Sequence, residues 1–286
     1  MQKYINKFKD FNELVMFEHS IFSLPFIFIA MLVAADGWFG SWLLLMGGLA
    51  AISARNFAMG VNRYADIDID ALNPRTKSRP NVDGRLDSIS ILIFIAVNAF
   101  VFVGVAYMIN NLAFYLSVPI LFVLGSYSYF KRFSSYAHIV LGLSLGLAPI
   151  AGAVAVDATI APWSVLLSLG VIFWVAGFDL LYSLQDIEFD KENNLYSIPS
   201  IYGADATLFI SSLFHMLSVV FWTLFAWIAD LGIFAFGAVI LSAVMLSYEH
   251  HLVRKDFTKI DRAFFTVNGY LGIMFLIMII LDEFVA

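Results

Sequence analysis

Residues 163–190 read WSVLLSLGVIFWVAGFDLLYSLQDIEFD: no charge falls between Trp163 and Phe178, and three aspartates and a glutamate then crowd into the last stretch, from Asp179 to Asp190. An apolar run of this length matches the roughly 20 residues that a helix needs to cross a bilayer core. The acids that follow mark the end where the helix meets water. The same grammar recurs along the chain. Apolar runs bounded by Gly, Pro, Asn or charge predict helices over 20–35, 41–62, 88–109, 112–130, 137–156, 163–183, 207–228, 233–248 and 263–281.

Composition agrees. Of 286 residues, 61% are hydrophobic and 13% charged, with a mean hydropathy of +0.86, which leaves too little polar surface to clothe a water-soluble globule. A lipid-embedded chain must satisfy its backbone internally, so the expected fold is all-α: a polytopic bundle of about nine transmembrane helices forming one domain over 1–286. The first run, Ser20 to Ala35, follows an amphipathic polar segment and is read as an uncleaved first helix rather than a signal peptide. With no cysteine, disulfides and thiolate-bound metals are excluded. Nothing suggests a nucleic-acid partner.

All 16 Lys and Arg fall before helix 1, in alternate connections or, for Arg55, toward the end of helix 2 that meets one of them, while the intervening connections carry only neutral residues or acids such as Asp36, Asp157 and Asp230. This asymmetry predicts a cytoplasmic N-terminus and an outside C-terminus in an inner membrane. Both acidic clusters then lie on the cytoplasmic side. In the first, Asn62, Asp66 and Asp70 recur every four residues and share a helix face; Arg55 lies seven residues earlier. The second, Asp186 and Asp190, repeats the step, with Asp179 seven residues before it. Carboxylates crowded this way need a cation, and a hard, thiol-free donor set suits Mg²⁺ together with phosphate oxygens. Arg75, Lys77, Arg79 and Lys131 follow the acids on the same side and suit a diphosphate leaving group. Asp68 and Glu188 fall off the two stripes. His250 and His251 read as loop residues.

Asn62-x₃-Asp66-x₃-Asp70 with Pro74-Arg75-Thr76-Lys77-Ser78-Arg79-Pro80, Tyr127-x₃-Lys131 and Asp186-x₃-Asp190 together resemble the signature motifs of the UbiA-type intramembrane aromatic prenyltransferases, the family of 4-hydroxybenzoate polyprenyltransferase. The resemblance implies a nine-helix bundle around a cytoplasm-facing cavity open sideways to the lipid bilayer. It implies that Asn62, Asp66, Asp70, Asp186 and Asp190 hold Mg²⁺ and a polyprenyl diphosphate, with Arg75, Lys77, Arg79, Tyr127 and Lys131 on the diphosphate. Ionisation would give an allylic cation that an aromatic acid attacks. Asn62-Arg63 replaces the usual Asn-Asp start of the first motif.

Two further stretches, Asp179-Leu-Leu-Tyr182-Ser-Leu-Gln-Asp186 with Leu195-Tyr-Ser-Ile-Pro199, and Phe17-Glu18-His19-Ser20 through Phe26, look more like the relatives in the futalosine route to menaquinone. There the acceptor is a dihydroxynaphthoate that loses its carboxylate, with 4-hydroxybenzoate as the alternative. Arg55, Asp179 and His19 are the candidates for orienting the acid, although an Arg so deep could equally pair with Asp179. An ion-coupled transporter is the rival from another class; it predicts acids at mid-membrane. A phosphoalcohol transferase would need a Gly and Ala-Arg pattern that is missing.

Overall fold

The computed structural model describes residues 2–16 and 24–285, with the side chains of 2–6, 8 and 262 excepted. Every regular element among them is helical. An amphipathic α1 (Gln2–Val15) precedes α2 (Leu24–Ala35), α3 (Ser41–Ala65), the short α4 (Ile67–Leu72), α5 (Ser88–Ile109), α6 (Asn111–Ser126) with a tighter turn over Tyr127–Arg132, α7 (Ala137–Asp157) and α8 (Pro162–Ser183). The short α9 (Ile187–Glu192), α10 (Ile198–Ile228), α11 (Ile233–Lys255), α12 (Ile260–Arg262) and α13 (Asn268–Val285) complete the chain. Among the described residues, eight stretches are long and apolar enough to cross a membrane, and the shorter apolar α2 stands beside them. The chain is an integral membrane protein.

α8 is the most deeply buried span, packed between α7 and α10. Trp174 on α8 meets Phe26 of α2 and Trp222 of α10 at ring-centroid distances of 5.2 and 6.0 Å, and all three side chains are fully buried. Lipid gives helices little hydrophobic reason to associate, so close backbone approach has to supply the contact. Two glycines of α7 provide it: a Cβ on Gly142 would stand 2.3 Å from the Ile172 carbonyl oxygen of α8, and one on Gly152 would stand 2.5 Å from that of Ile27 on α2.

Several helices outrun the sequence expectation. α3 reaches Ala65 rather than 62. α10 begins at Ile198 rather than 207, because Ser197 and Ser200 cap each other reciprocally and Gly203, at φ 81°, absorbs a kink. α11 runs on to Lys255 through Glu249 and His250, which are helical and buried rather than in a loop. The polar groups that argued for a loop find partners inside the bundle: Asn268 donates to Glu249 at 2.7 Å, and the His250 and His215 rings meet at 2.9 Å.

Candidate active site

α3 breaks at Asp66 (φ −99°, ψ 9°) and α4 restarts one residue later; α8 passes into a tighter turn over Leu184–Asp186, which breaks at Asp186 (φ −104°, ψ 8°) before α9. The two motifs thus turn the chain in the same local geometry. The four-residue step survives the first break, since Asp66 N–H reaches the Asn62 carbonyl at 2.9 Å and Asp70 N–H the Asp66 carbonyl at 2.7 Å. Asn62, Asp66, Asp70, Asp186 and Asp190 line one cavity of about 1090 Å³, together with Arg75, Arg79, Tyr127, Lys131 and Asp179.

Basic residues clamp the acids. Lys131 Nζ lies 2.6 Å from Asp66 Oδ2, Arg79 Nη1 2.7 Å from Asp70 Oδ1, and Arg75 Nη2 2.6 Å from Asp186 Oδ2. Arg75 also donates to the Tyr182 hydroxyl at 2.8 Å, and Asn62 donates to Asp66 at 2.8 Å. Ser197 donates to Asp190 at 2.7 Å. Burial lifts the Asp66 carboxyl above the usual range, with Lys131 pulling it partly back; the exposed Asp68, bonded to Arg132, lies below that range.

No group of three or more acids or histidines among the described residues is gathered tightly enough to enclose a metal. Yet Asp66 Oδ1 and Asp70 Oδ2 are buried without a partner. Two orphaned carboxylate oxygens beside further acids on a polar cavity form an all-oxygen donor set, which fits a hard divalent ion such as Mg²⁺.

Tyr127 and Leu141 also line an adjoining apolar cavity of about 850 Å³ that holds Arg55. Ile27, Ala50, Phe102, Ile120, Leu147 and Ala151 line both that cavity and a third of about 940 Å³, which reaches Val154 and Ile160 at the other end of the bundle. The three cavities adjoin through these shared walls. Along α3 their lining runs from Asn62 to Gly47, roughly 22 Å at the rise of an α-helix.

Some candidates stand elsewhere. Lys77 is exposed and outside the cavity lining, and His19 lies outside the described residues. Arg55 does not pair with Asp179. Its Nη2 donates to the Val15 and Met16 carbonyls at 3.4 and 3.2 Å, because the last turn of α1 leaves carbonyls unsatisfied, and its Nε is buried without a partner. Asp179 instead bonds His138 Nδ1 at 2.7 Å. Sequence reasoning missed His138, Asn73, Tyr182, Ser128 and Ser197 as members of this wall. His138 carried no periodic signal, because Lys131 ends the turn over Tyr127–Arg132 and His138 opens α7, so their spacing crosses a break between helices.

Comparisons with known proteins agree with this architecture. The model of the UbiA prenyltransferase family matches residues 23–279. A 4-hydroxybenzoate octaprenyltransferase from Tolumonas auensis is 28% identical over 86% of this chain and 85% of its own. The apo structure of a UbiA homologue from Aeropyrum pernix K1 is 30% identical and superposes with a TM-score of 0.83, covering 93% of this chain and 98% of that one. A UbiA homologue from Archaeoglobus fulgidus bound to GPP and Mg²⁺, 18% identical, shares the fold at a TM-score of 0.75 over 94% of this chain and 99% of its own. Matched along most of its length and folded like its solved relatives, the chain belongs to the UbiA prenyltransferase family, as an integral membrane enzyme that transfers prenyl groups.

Proposed function

We propose that the protein transfers a polyprenyl group from polyprenyl diphosphate to an aromatic acid in quinone biosynthesis, with Mg²⁺, on the cytoplasmic face of the membrane. The observation that carries this reading is the union of an acid-and-base-lined cavity with an apolar path, through a neck holding Tyr127 and Arg55. One end suits a diphosphate and the other a hydrocarbon tail. Asn62, Asp66, Asp70, Asp186 and Asp190 would hold Mg²⁺, which supplies charge neutralisation on the leaving diphosphate. Arg75, Arg79 and Lys131 exchange their carboxylate partners for phosphate oxygens. Each such exchange replaces one charge-assisted hydrogen bond by another. The apolar path excludes water from the allylic carbon. Arg55, with an unpartnered Nε in the neck, holds the acceptor carboxylate so that the ring faces that carbon.

The acceptor favoured by the Asp179–Asp186 stretch is a dihydroxynaphthoate on the futalosine route. The alternative, 4-hydroxybenzoate, has its own support in the names of the relatives. The test is purified protein with labelled polyprenyl diphosphate, Mg²⁺ and each acid in turn. Faster conversion of the naphthoate with release of CO₂ is expected, and Arg55→Ala should raise the KM for the acid far more than that for the diphosphate. Preference for 4-hydroxybenzoate without CO₂ release would overturn the naphthoate assignment, and equal losses for both substrates would return Arg55 to anchoring α1.

A further inference from the structure

His138 is 5% exposed and stands on the wall of the polar cavity at the start of α7. Its Nδ1 is 2.7 Å from Asp179 Oδ2, on the neighbouring α8. Its Nε2 is buried and has no hydrogen-bond partner among the described residues. A buried imidazole normally satisfies both nitrogens. Here one nitrogen is fixed by a carboxylate and the other is left over. That is the arrangement in which a carboxylate sets the tautomer, places the proton on Nδ1 and leaves Nε2 basic.

The position matches the acceptor's needs. Leu141, one helical turn or about 4.5 Å along α7 from His138, lines both the polar cavity and the neck, as does Tyr127. An acid whose carboxylate meets Arg55 and whose ring lies at the Tyr127–Leu141 neck presents its opposite edge to the polar cavity, where the dyad stands. Where a hydroxyl is para to the carboxylate, as in 4-hydroxybenzoate, that edge carries it.

We propose that His138, oriented by Asp179, is the general base that takes the hydroxyl proton of the acceptor during transfer. The inference rests on the reading of the acceptor as a hydroxylated aromatic acid. As the O–H proton passes to His138 Nε2, the O–H electron pair forms a ring carbonyl and a ring π pair forms the new bond to C1 of the prenyl group. The C1–O bond breaks, and its electrons leave on the diphosphate. The resulting dienone loses CO₂ from the substituted carbon, or a proton to water where that carbon bore hydrogen. The released pair restores the aromatic ring, and the oxygen regains its proton from His138. Asp179 stabilises the imidazolium between the two transfers and is a positioning residue.

The experiment uses the full-length protein in lipid. In His138→Gln the amide keeps a hydrogen bond to Asp179 but cannot accept a proton. Binding of polyprenyl diphosphate should be unchanged, whereas kcat should fall about 10²- to 10³-fold, the usual range for a lost general base. Asp179→Asn should lower kcat with a smaller effect on diphosphate binding. Two readouts separate chemistry from packing. A ring-fluorinated acceptor, whose hydroxyl ionises more easily, should recover much of the His138→Gln loss. His138→Ala should be rescued by added imidazoles, at rates that rise with their basicity. Activity of His138→Gln within threefold of wild type, or losses that neither the fluorinated acceptor nor imidazole relieves, would overturn the assignment. Absence of wild-type transfer to any hydroxylated aromatic acid would instead overturn the acceptor reading.

Discussion

Asp66 concentrates the electrostatics of the site, being 3% exposed, bonded to Lys131 and Asn62 through one oxygen, and unpartnered at the other. Burial raises its pKa above the roughly 3.9 of an unfolded aspartate. Between those two values the folded protein keeps a proton that the unfolded chain has released, so stability falls as pH rises through the window. A metal competes for the same oxygens, so Mg²⁺ affinity should rise with pH across that window. Calorimetric Mg²⁺ titration from acid to neutral pH should show weaker binding at the acid end. Asp66→Asn, which cannot balance the ion, should abolish Mg²⁺-dependent diphosphate binding and transfer while the helices stay folded. Near-normal turnover in that variant would remove Asp66 from the metal site. At this scale the acids were legible because four-residue spacing survives even where the helix breaks. His138 and Ser197 were not, since a single polar residue in an apolar run carries no period until its partner on another helix is known.

The transmembrane elements were legible from hydropathy, and so were the ends of α5, α7 and α8, but the ends of α3, α10 and α11 were not. Glu249 and His250 looked like a loop because a window of sequence weighs a side chain as though it faced water, whereas they face Asn268 and His215. What brings elements together is also silent in hydropathy. Gly152 is the place where α7 lies against the backbone of α2. Gly152→Ala should therefore force the helices apart and cost about 1–3 kcal/mol, seen as a lower thermal midpoint in detergent. Gly48→Ala, on α3 with open space around the new methyl group, should leave the midpoint unchanged or raise it slightly. Equal behaviour of the two variants would mean that the α7–α2 approach contributes nothing to stability.

For the whole molecule, the one-sided distribution of Lys and Arg predicts an orientation that single cysteines in this naturally cysteine-free chain can test directly. Cysteines at Lys131 and Asp157, which flank α7 at its start and its end, should label from opposite faces of sealed vesicles. Labelling of both from one face would invalidate the assigned topology. The path from Tyr127 to Ile160 was beyond sequence reading, because small residues such as Ala50 and Ala151 become walls only when helices distant in sequence converge on them. The polar cavity has a property that no single pair displays. Its lining sets Asp66, Asp70, Asp179, Asp186 and Asp190 against Arg63, Arg75, Arg79 and Lys131, so the wall is nearly neutral as a whole. A lone cation entering there is resisted by the bases, and a lone polyanion by the acids. On the proposed reading a salt of the two would meet neither penalty, so metal and diphosphate would each increase the affinity for the other by the same factor. In thermodynamic terms such a site would act as a selective ion exchanger that admits its electrolyte as a pair.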